Sequence, residues 1–175
     1  FGKMRIIEEK VTGKARADAV MVLENAVCGI EIKSDADNYQ RLAKQVREYD
    51  KFYDYNYVVV GSSHAKHVSE HVRKYWGIIV ASRVEDGIEF TIQREPEPNP
   101  KVTWKRKLGI LWRPELVVIQ ELNKMPRYKE KSKLFVIDKI IERLETGKIG
   151  EAKLRKQVSD ALFERDYTTI GEEIR

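Results

Sequence analysis

One continuous stretch decides the fold: GIEIKSDADNYQRLAKQVREYDKFYDYNYVVVG, residues 29–61. It begins inside an alternating segment, residues 27–33, that is typical of a β-strand. Residues 35–52 carry apolar and aromatic side chains at helical spacing. Residues 55–60 form a mainly apolar run that ends in three β-branched valines and indicates a buried strand. The stretch therefore predicts a sheet with helices packed against it.

The segments on both sides extend this pattern. Four further strands and one further helix are predicted, with the strands at residues 4–11, 15–23, 77–81 and 87–93 and the helix at residues 64–75. The resulting order is β-β-β-α-β-α-β-β. We therefore predict an α/β fold.

A proline-rich segment marks a change in the character of the chain. EPEPNP, residues 95–100, contains three prolines within five positions and is predicted to be an extended linker. Residues 1–95 hold 15 basic and 15 acidic residues, whereas residues 96–175 hold 18 basic and 13 acidic ones and so carry the whole net charge of +5. We predict an α/β core over residues 1–95, a linker at 96–100 and a basic, mostly helical region over 101–175.

Composition excludes several classes of protein. The chain has 175 residues and 42% hydrophobic content, which is ordinary for a globular fold, and no apolar run approaches the roughly 18 residues of a membrane span. Its start resembles no signal peptide, and because it begins with Phe1 we expect it to start inside a longer chain. A single Cys28 excludes an internal disulfide framework and favours a cytoplasmic protein, and one Cys with three His nearly excludes a zinc site.

Two carboxylates and a lysine are predicted to converge on the sheet. Glu31 and Lys33 share one strand face because side chains alternate along a strand. Asp18 lies thirteen residues before Glu31, on the preceding strand. A hairpin through residues 24–26 would place Asp18 beside Glu31.

This arrangement suits metal-assisted hydrolysis of a phosphodiester. Mg²⁺ is typically held by one or two carboxylates plus waters and substrate phosphate, so Asp18 and Glu31 are the candidate ligands for Mg²⁺ or Mn²⁺. Lys33 is the candidate electrostatic partner of the transition state. The alternative is that Glu31 and Lys33 lie on a solvated strand face with a cross-strand ion pair.

Asp18 followed by Glu31-Ile32-Lys33 resembles the D…ExK signature of the PD-(D/E)XK nuclease superfamily, although Ala17 stands where the name has proline. In the following helix, Gln45 and Tyr49 match the QxxxY motif of the RecB-like branch. The resemblance implies a restriction-endonuclease-like fold with a mixed sheet core flanked by helices and a C-terminal basic helical extension. It also implies Mg²⁺-dependent cleavage of DNA, with Gln45 and Tyr49 facing the site. A homodimer is compatible with this resemblance, and the sequence does not decide between monomer and dimer.

More narrowly, residues 29–64, a later Trp-Gly pair and a basic tail beginning LWRPEL resemble a small family of bacterial and phage proteins described as nuclease-like, related to the MmcB-like DNA-repair proteins. Many members of the superfamily have a further acidic residue upstream that completes the metal site. The candidates here are Glu8 and Glu9, and the strand parity slightly favours Glu9. Tyr49 has a second interpretation as an ordinary core aromatic, because aromatic residues at helical spacing are often buried.

The basic region offers a candidate nucleic-acid surface. Residues 101–133 hold ten basic and three acidic residues, with aromatic residues between them. The residues predicted to bind nucleic acid are Lys105, Arg106, Lys107, Lys129, Lys131 and Lys133. The alternative is that the Trp residues anchor this region on the core while the lysines keep it soluble.

These observations predict a metal-dependent deoxyribonuclease that acts in DNA repair or in a phage or defence context. DNA is favoured over RNA, and no membrane partner is expected. Two alternatives stay open: a nucleic-acid-binding protein without catalysis, and a protein–protein adaptor that retains the nuclease fold.

Overall fold

The computed structural model describes residues 2–12 and 14–165, without the side chains of residues 9–12 and 15. Its strands are β1 (Met4–Thr12), β2 (Ala15–Leu23), β3 (Val27–Lys33), β4 (Tyr55–Gly61), β5 (Gly77–Val84) and β6 (Gly87–Arg94). Its helices are α1 (Leu42–Tyr49), α2 (Trp104–Gly109), α3 (Arg113–Leu122), α4 (Lys133–Glu145) and α5 (Glu151–Glu164).

The six strands form one mixed sheet in the order β1-β2-β3-β4-β5-β6. The β1–β2, β2–β3 and β5–β6 pairs are antiparallel, and the β3–β4 and β4–β5 pairs are parallel. A parallel pair needs a crossover connection, and α1 supplies it between β3 and β4. The predicted α/β class and all six predicted strands are confirmed, with each strand boundary within three residues of its prediction.

The predicted helix at residues 64–75 is wrong. This segment instead contains two short 3₁₀ turns, Ser62–His64 and Val68–Glu70. Tertiary contacts override the helical pattern here: the hydroxyl of Tyr39 lies 2.8 Å from Nδ1 of His64, and its ring stacks on His71.

Helix α1 begins later than the prediction, at Leu42 rather than residue 35. Ser34 donates from both its backbone N–H and its hydroxyl to Oδ2 of Asp37, at 2.7 Å each, which closes a local turn. Asp35 accepts the N–H of Ser63 at 2.9 Å and lies against Gly61, where a Cβ would approach its Oδ1 to 2.2 Å. The hydrogen bonds of Asp35 and Asp37 therefore hold the start of the predicted helix in a non-helical conformation.

The helices lie over one face of the sheet. Its inward residues include Val20, Val58 and Ile78, which are almost fully buried together with Leu42 and Val46 of α1. The apolar residues of α2–α5 belong to the same continuous cluster of buried side chains as the sheet residues. None of the described helices combines the length and the apolar character needed to cross a membrane.

The proline-rich segment and the helices after it are anchored to the core. The amide Nδ2 of Asn99 donates to the carbonyl oxygens of Asp50 and Tyr53, at 2.8 and 2.7 Å. The buried ammonium of Lys107 pairs with Asp54. The division into two folding units at residues 96–100 stays a prediction.

Candidate active site

The β2–β3 hairpin brings the three residues of the predicted site together. Val20 pairs with Gly29 and Ala19 with Ile30, so the strand register carries Asp18 toward Glu31. The backbone N–H of Ile32 donates to Oδ2 of Asp18 at 2.8 Å, which fixes this carboxylate beside β3. Asp18, Glu31 and Lys33 therefore meet near the carboxyl end of β3.

Glu31 is buried and fully engaged by neighbouring donors. It is 1% exposed, and Lys33 is 5% exposed. Nζ of Lys33 lies 3.2 Å from Oε1 of Glu31, and Gln45 donates to the same oxygen at 2.5 Å. The hydroxyl of Tyr49 donates to Oε2 at 2.6 Å. The two charged residues therefore lie under α1 and not on a solvated strand face.

Helix α1 supplies both neutral donors because Gln45 and Tyr49 are one turn apart on the same face. Tyr49 is completely buried, and its ring lies against Trp76 with the centroids 5.7 Å apart. Its hydroxyl also accepts the N–H of Asp18 at 3.3 Å. Tyr49 is thus both a core aromatic and a polar link between the two carboxylates.

Burial makes the Glu31 carboxylate costly to ionise. Desolvation raises the pKa of Glu31, and the nearby charge of Asp18 raises it further. The hydrogen bond from Tyr49 and the charge of Lys33 lower this pKa and so partly offset the burial. Burial beside Glu31 also raises the pKa of Tyr49, so its hydroxyl stays protonated and remains a donor.

The site opens into a cleft of about 560 Å³. The cleft is lined by five basic residues, namely Lys14, Arg16, Lys33, Arg41 and Lys44, and by Asp18, Glu31, Ile32, Asp37 and Gln45. Four of these cations escaped the sequence prediction. Two signals could have found two of them: Arg16 precedes Asp18 by two residues on one strand, and Arg41, the N-cap residue of α1, lies four residues, or about one turn, before Gln45.

The donor set of the cleft fits a hard divalent cation. Asp18 and Glu31 offer two carboxylates, and Mg²⁺ is usually held by one or two carboxylates while water and substrate complete its shell. The buried Oε1 of Gln45 has no hydrogen-bond partner among the described atoms, and a bound water could satisfy it. The described residues contain no group of three or more His, Cys, Asp or Glu that could hold a metal. Glu9 belongs to β1, but its side chain lies outside the described part of the structure.

The predicted nucleic-acid residues of the basic region differ in their availability. Lys107 is 2% exposed and pairs with Asp54 near the amino end of β3, away from the cleft. This differs from the prediction, because sequence spacing did not reveal that Lys107 points from a short helix into the core. Lys133 donates to the carbonyl of Gly109 at 2.8 Å.

The remaining cations of that group lie at the surface. Lys105 forms an exposed ion pair with Asp138 at 3.0 Å. Arg106, Lys129 and Lys131 are exposed, and Nζ of Lys131 lies 5.4 Å from the ring centre of Phe135. Four of the six predicted residues can therefore reach a polyanion from the surface.

Comparisons with known proteins place the chain in a family. No curated protein matches it. One solved structure, "The structure of Pyrococcus Furiosus SfsA in complex with Ca2+", matches with 14% sequence identity and a TM-score of 0.35, over 57% of this chain and 55% of that one. The family model described as "Bacteriophage P4 protein cII" matches residues 3–170. The chain therefore belongs to the bacteriophage P4 protein cII family.

Proposed function

We propose that this protein is a metal-dependent nuclease that hydrolyses phosphodiester bonds of DNA. The observation that carries the proposal is the convergence of Asp18, Glu31 and Lys33 at a cleft lined by five basic residues. We extend the proposal to the restriction-endonuclease-like fold of the PD-(D/E)XK superfamily. The mixed sheet and the crossover helix that carries Gln45 and Tyr49 support this assignment. The repair, phage or defence context stays a prediction.

Asp18 and Glu31 would hold Mg²⁺ or Mn²⁺ in this proposal. When bound, such an ion lowers the pKa of a coordinated water and screens the charge that develops on the phosphate. Asp18 is fixed by the N–H of Ile32, and Glu31 is fixed by Gln45 and Tyr49. The chain therefore supplies two preorganised carboxylates, which reduces the reorganisation needed during the reaction.

Lys33 would stabilise the developing charge of the transition state. Its ammonium is nearly buried and lines the cleft, so its interaction with a phosphate oxygen is less weakened by water than that of a surface lysine. Because Lys33 already pairs with Glu31, its position is set before substrate arrives.

The remaining cleft cations favour a polyanionic substrate. Lys14, Arg16, Arg41 and Lys44 are exposed around the two carboxylates. Basic residues at such a site neutralise successive phosphates and release counterions. DNA rather than RNA is the proposed substrate on the strength of the D…ExK and QxxxY resemblance.

A cleavage assay with paired lysine variants tests the proposal. Purified protein is incubated with single-stranded, duplex and branched DNA in Mg²⁺ or Mn²⁺. We expect Lys33→Met to lower the cleavage rate by about 10²–10³-fold, the usual cost of one transition-state donor. Lys74→Met, at an exposed lysine outside the cleft, should leave the rate unchanged. No cleavage by the wild type, or equal cleavage by Lys33→Met, would contradict the proposal.

A second candidate function is nucleic-acid binding without catalysis. It is favoured by one observation: both carboxylate oxygens of Glu31 already accept hydrogen bonds from the chain itself. This function predicts salt-dependent binding that needs no divalent cation and gives no turnover. EDTA titration of binding alongside the cleavage assay separates the two functions.

A further inference from the structure

The two edges of the sheet are protected very differently. β1, with the sequence MRIIEEKVT, carries four charged residues among nine. β6, with the sequence GIEFTIQR, carries only Glu89 and its last residue, Arg94. Natural edge strands usually avoid pairing with other chains through charges, prolines, bulges or a covering element. Between its two ends β6 therefore has one charged residue, whereas β1 has four.

β6 also presents an exposed apolar stripe. Ile88, Phe90 and Ile92 alternate along the strand on one face and are 61%, 65% and 54% exposed. The stripe continues across the sheet, because Ile92 pairs with Ile79 of β5. Apolar side chains grouped in this way on a soluble domain are typical of an interaction surface.

The backbone of the same residues faces the free edge. Val84 and Gly87 pair across a two-residue turn, and the residues that flank such a turn form a hydrogen-bonded pair. Hydrogen-bonded and non-hydrogen-bonded pairs alternate from there, so the N–H and C=O groups of Ile88, Phe90 and Ile92 point away from β5. Within the described residues, β6 has a neighbouring strand on one side only.

We propose that β6 pairs antiparallel with β6 of a second copy of this chain, about a two-fold axis at Phe90. Ile88 and Ile92 are equidistant from Phe90 in the sequence. In this register Phe90 lies opposite its own copy, and each Ile88 lies opposite the other copy's Ile92. A two-fold interface must be self-complementary, and this apolar ladder meets that requirement.

The polar face of the strand is compatible with the same register. Glu89 lies opposite the other copy's Thr91, so no like charges oppose one another. Cross-strand pairs of aromatic and β-branched residues are among the most favourable in antiparallel sheets. The occupant that best matches this edge is therefore a second copy and not an unrelated strand.

The dimer is independent of the proposed nuclease function. β6 is three strands away from β3 in the sheet, so pairing at β6 leaves the cleft beside Glu31 open. Failure of the dimer would not bear on cleavage, and failure of cleavage would not bear on the dimer.

Sedimentation equilibrium of the full chain over a wide concentration range tests the association. We expect a monomer–dimer equilibrium for the wild type. Phe90→Lys should be monomeric at the same concentrations, because the two-fold axis would place two ammonium groups opposite each other. Leu134→Lys, at an apolar residue of α4 with similar exposure (58%), should dimerise like the wild type. A monomeric wild type, or loss of the dimer in Leu134→Lys alone, would overturn the proposal.

Disulfide trapping tests the register. The single native Cys28 is buried, so an introduced cysteine on β6 is the accessible thiol of the described chain. Under mild oxidation Phe90→Cys should give a covalent dimer, because directly paired residues lie within the Cα separation of a disulfide. Thr91→Cys, on the opposite face, should stay uncrosslinked because it lies opposite Glu89. Crosslinking of Thr91→Cys as fast as Phe90→Cys, or of neither variant, would overturn the proposed pairing.

Discussion

Among the described residues, two buried carboxylate–lysine pairs differ in their surroundings. The cleft pair is Glu31 with Lys33, and the structural pair is Asp54 with Lys107. In the structural pair, Asp54 also accepts the N–H of Val27 at 2.8 Å and binds Arg155 at 2.8 Å. In the cleft pair, Glu31 is held by neutral donors of α1 and borders open volume.

This difference shows why a buried ion pair does not by itself mark an active site. The structural pair joins α2 and α5 to the sheet, and two cations and a backbone donor satisfy its carboxylate. The salt bridge of the cleft pair joins two residues of one strand, so this salt bridge itself ties no helix to the sheet. A costly buried charge without an obvious structural role is a better candidate for function.

The largest expected effect comes from breaking the structural pair. Asp54→Asn would leave Lys107 buried without its carboxylate, and we expect a loss of about 3–5 kcal/mol in the free energy of unfolding. Asp138→Asn, at an exposed pair with Lys105, should cost about 0–1 kcal/mol. Urea denaturation measures both variants. Equal stability of the two variants would remove the distinction between the structural pair and a surface pair.

The structural pair also shows that the basic region cannot be removed without disturbing the core. Removing residues 101–175 would take away both Lys107 and Arg155, the two cations of Asp54. Nucleic-acid binding by the basic region is therefore better tested with point variants than by truncation, because truncation would also unpair a buried carboxylate.

An effect of intermediate size tests whether DNA binds in the cleft. The double variant Arg41→Gln, Lys44→Gln should weaken DNA binding and reduce the salt dependence of the binding constant by about two phosphate contacts. It should also lower the cleavage rate. The matched double variant Lys129→Gln, Lys131→Gln removes two exposed cations of the basic region and should weaken binding while leaving single-turnover cleavage of bound DNA unchanged. Fluorescence anisotropy at several salt concentrations, with a single-turnover assay, measures both variants.

If the Arg41→Gln, Lys44→Gln variant kept the salt dependence of the wild type, DNA would not bind in the cleft.

The strand framework was predictable from sequence because β-branched runs and alternation report directly on a half-buried sheet. The convergence of Asp18 with Glu31 was predictable for the same reason, since a short turn fixes which residues of a hairpin lie side by side. The 3₁₀ turns before β5 could not be predicted in this way. Their conformation depends on contacts with Tyr39, which is 25 residues from His64 in the sequence. The inward direction of Lys107 was not predictable either, because its partner Asp54 is 53 residues away.

The smallest expected effect is the most specific to the cleft pair. Tyr49→Phe keeps the buried ring but removes the donor to Oε2 of Glu31. Because that hydrogen bond lowers the pKa of Glu31, the variant should raise this pKa further, and the acid limb of the cleavage profile should move to higher pH. The pH dependence of stability has the same cause. Because Glu31 ionises less readily in the folded protein than in the unfolded chain, stability falls as the pH rises from the ordinary glutamate pKa to the raised value. This fall should be larger in the variant.

Tyr75→Phe is the matched control for this variant. It removes a similar hydrogen bond, from the Tyr75 hydroxyl to Oδ2 of Asp50 at 2.7 Å, at a carboxylate outside the cleft. Tyr75→Phe should lose about 1 kcal/mol of unfolding free energy, the usual contribution of one hydrogen bond, and Tyr49→Phe should lose at least as much because it also removes the acceptor of the Asp18 N–H. Only Tyr49→Phe should shift the acid limb of the pH–rate profile, because only Tyr49 acts on a carboxylate that must ionise to bind a cation. A shift of equal size in both variants would mean that the acid limb reflects loss of the folded state at low pH. In that case the acid limb would not report the ionisation of Glu31.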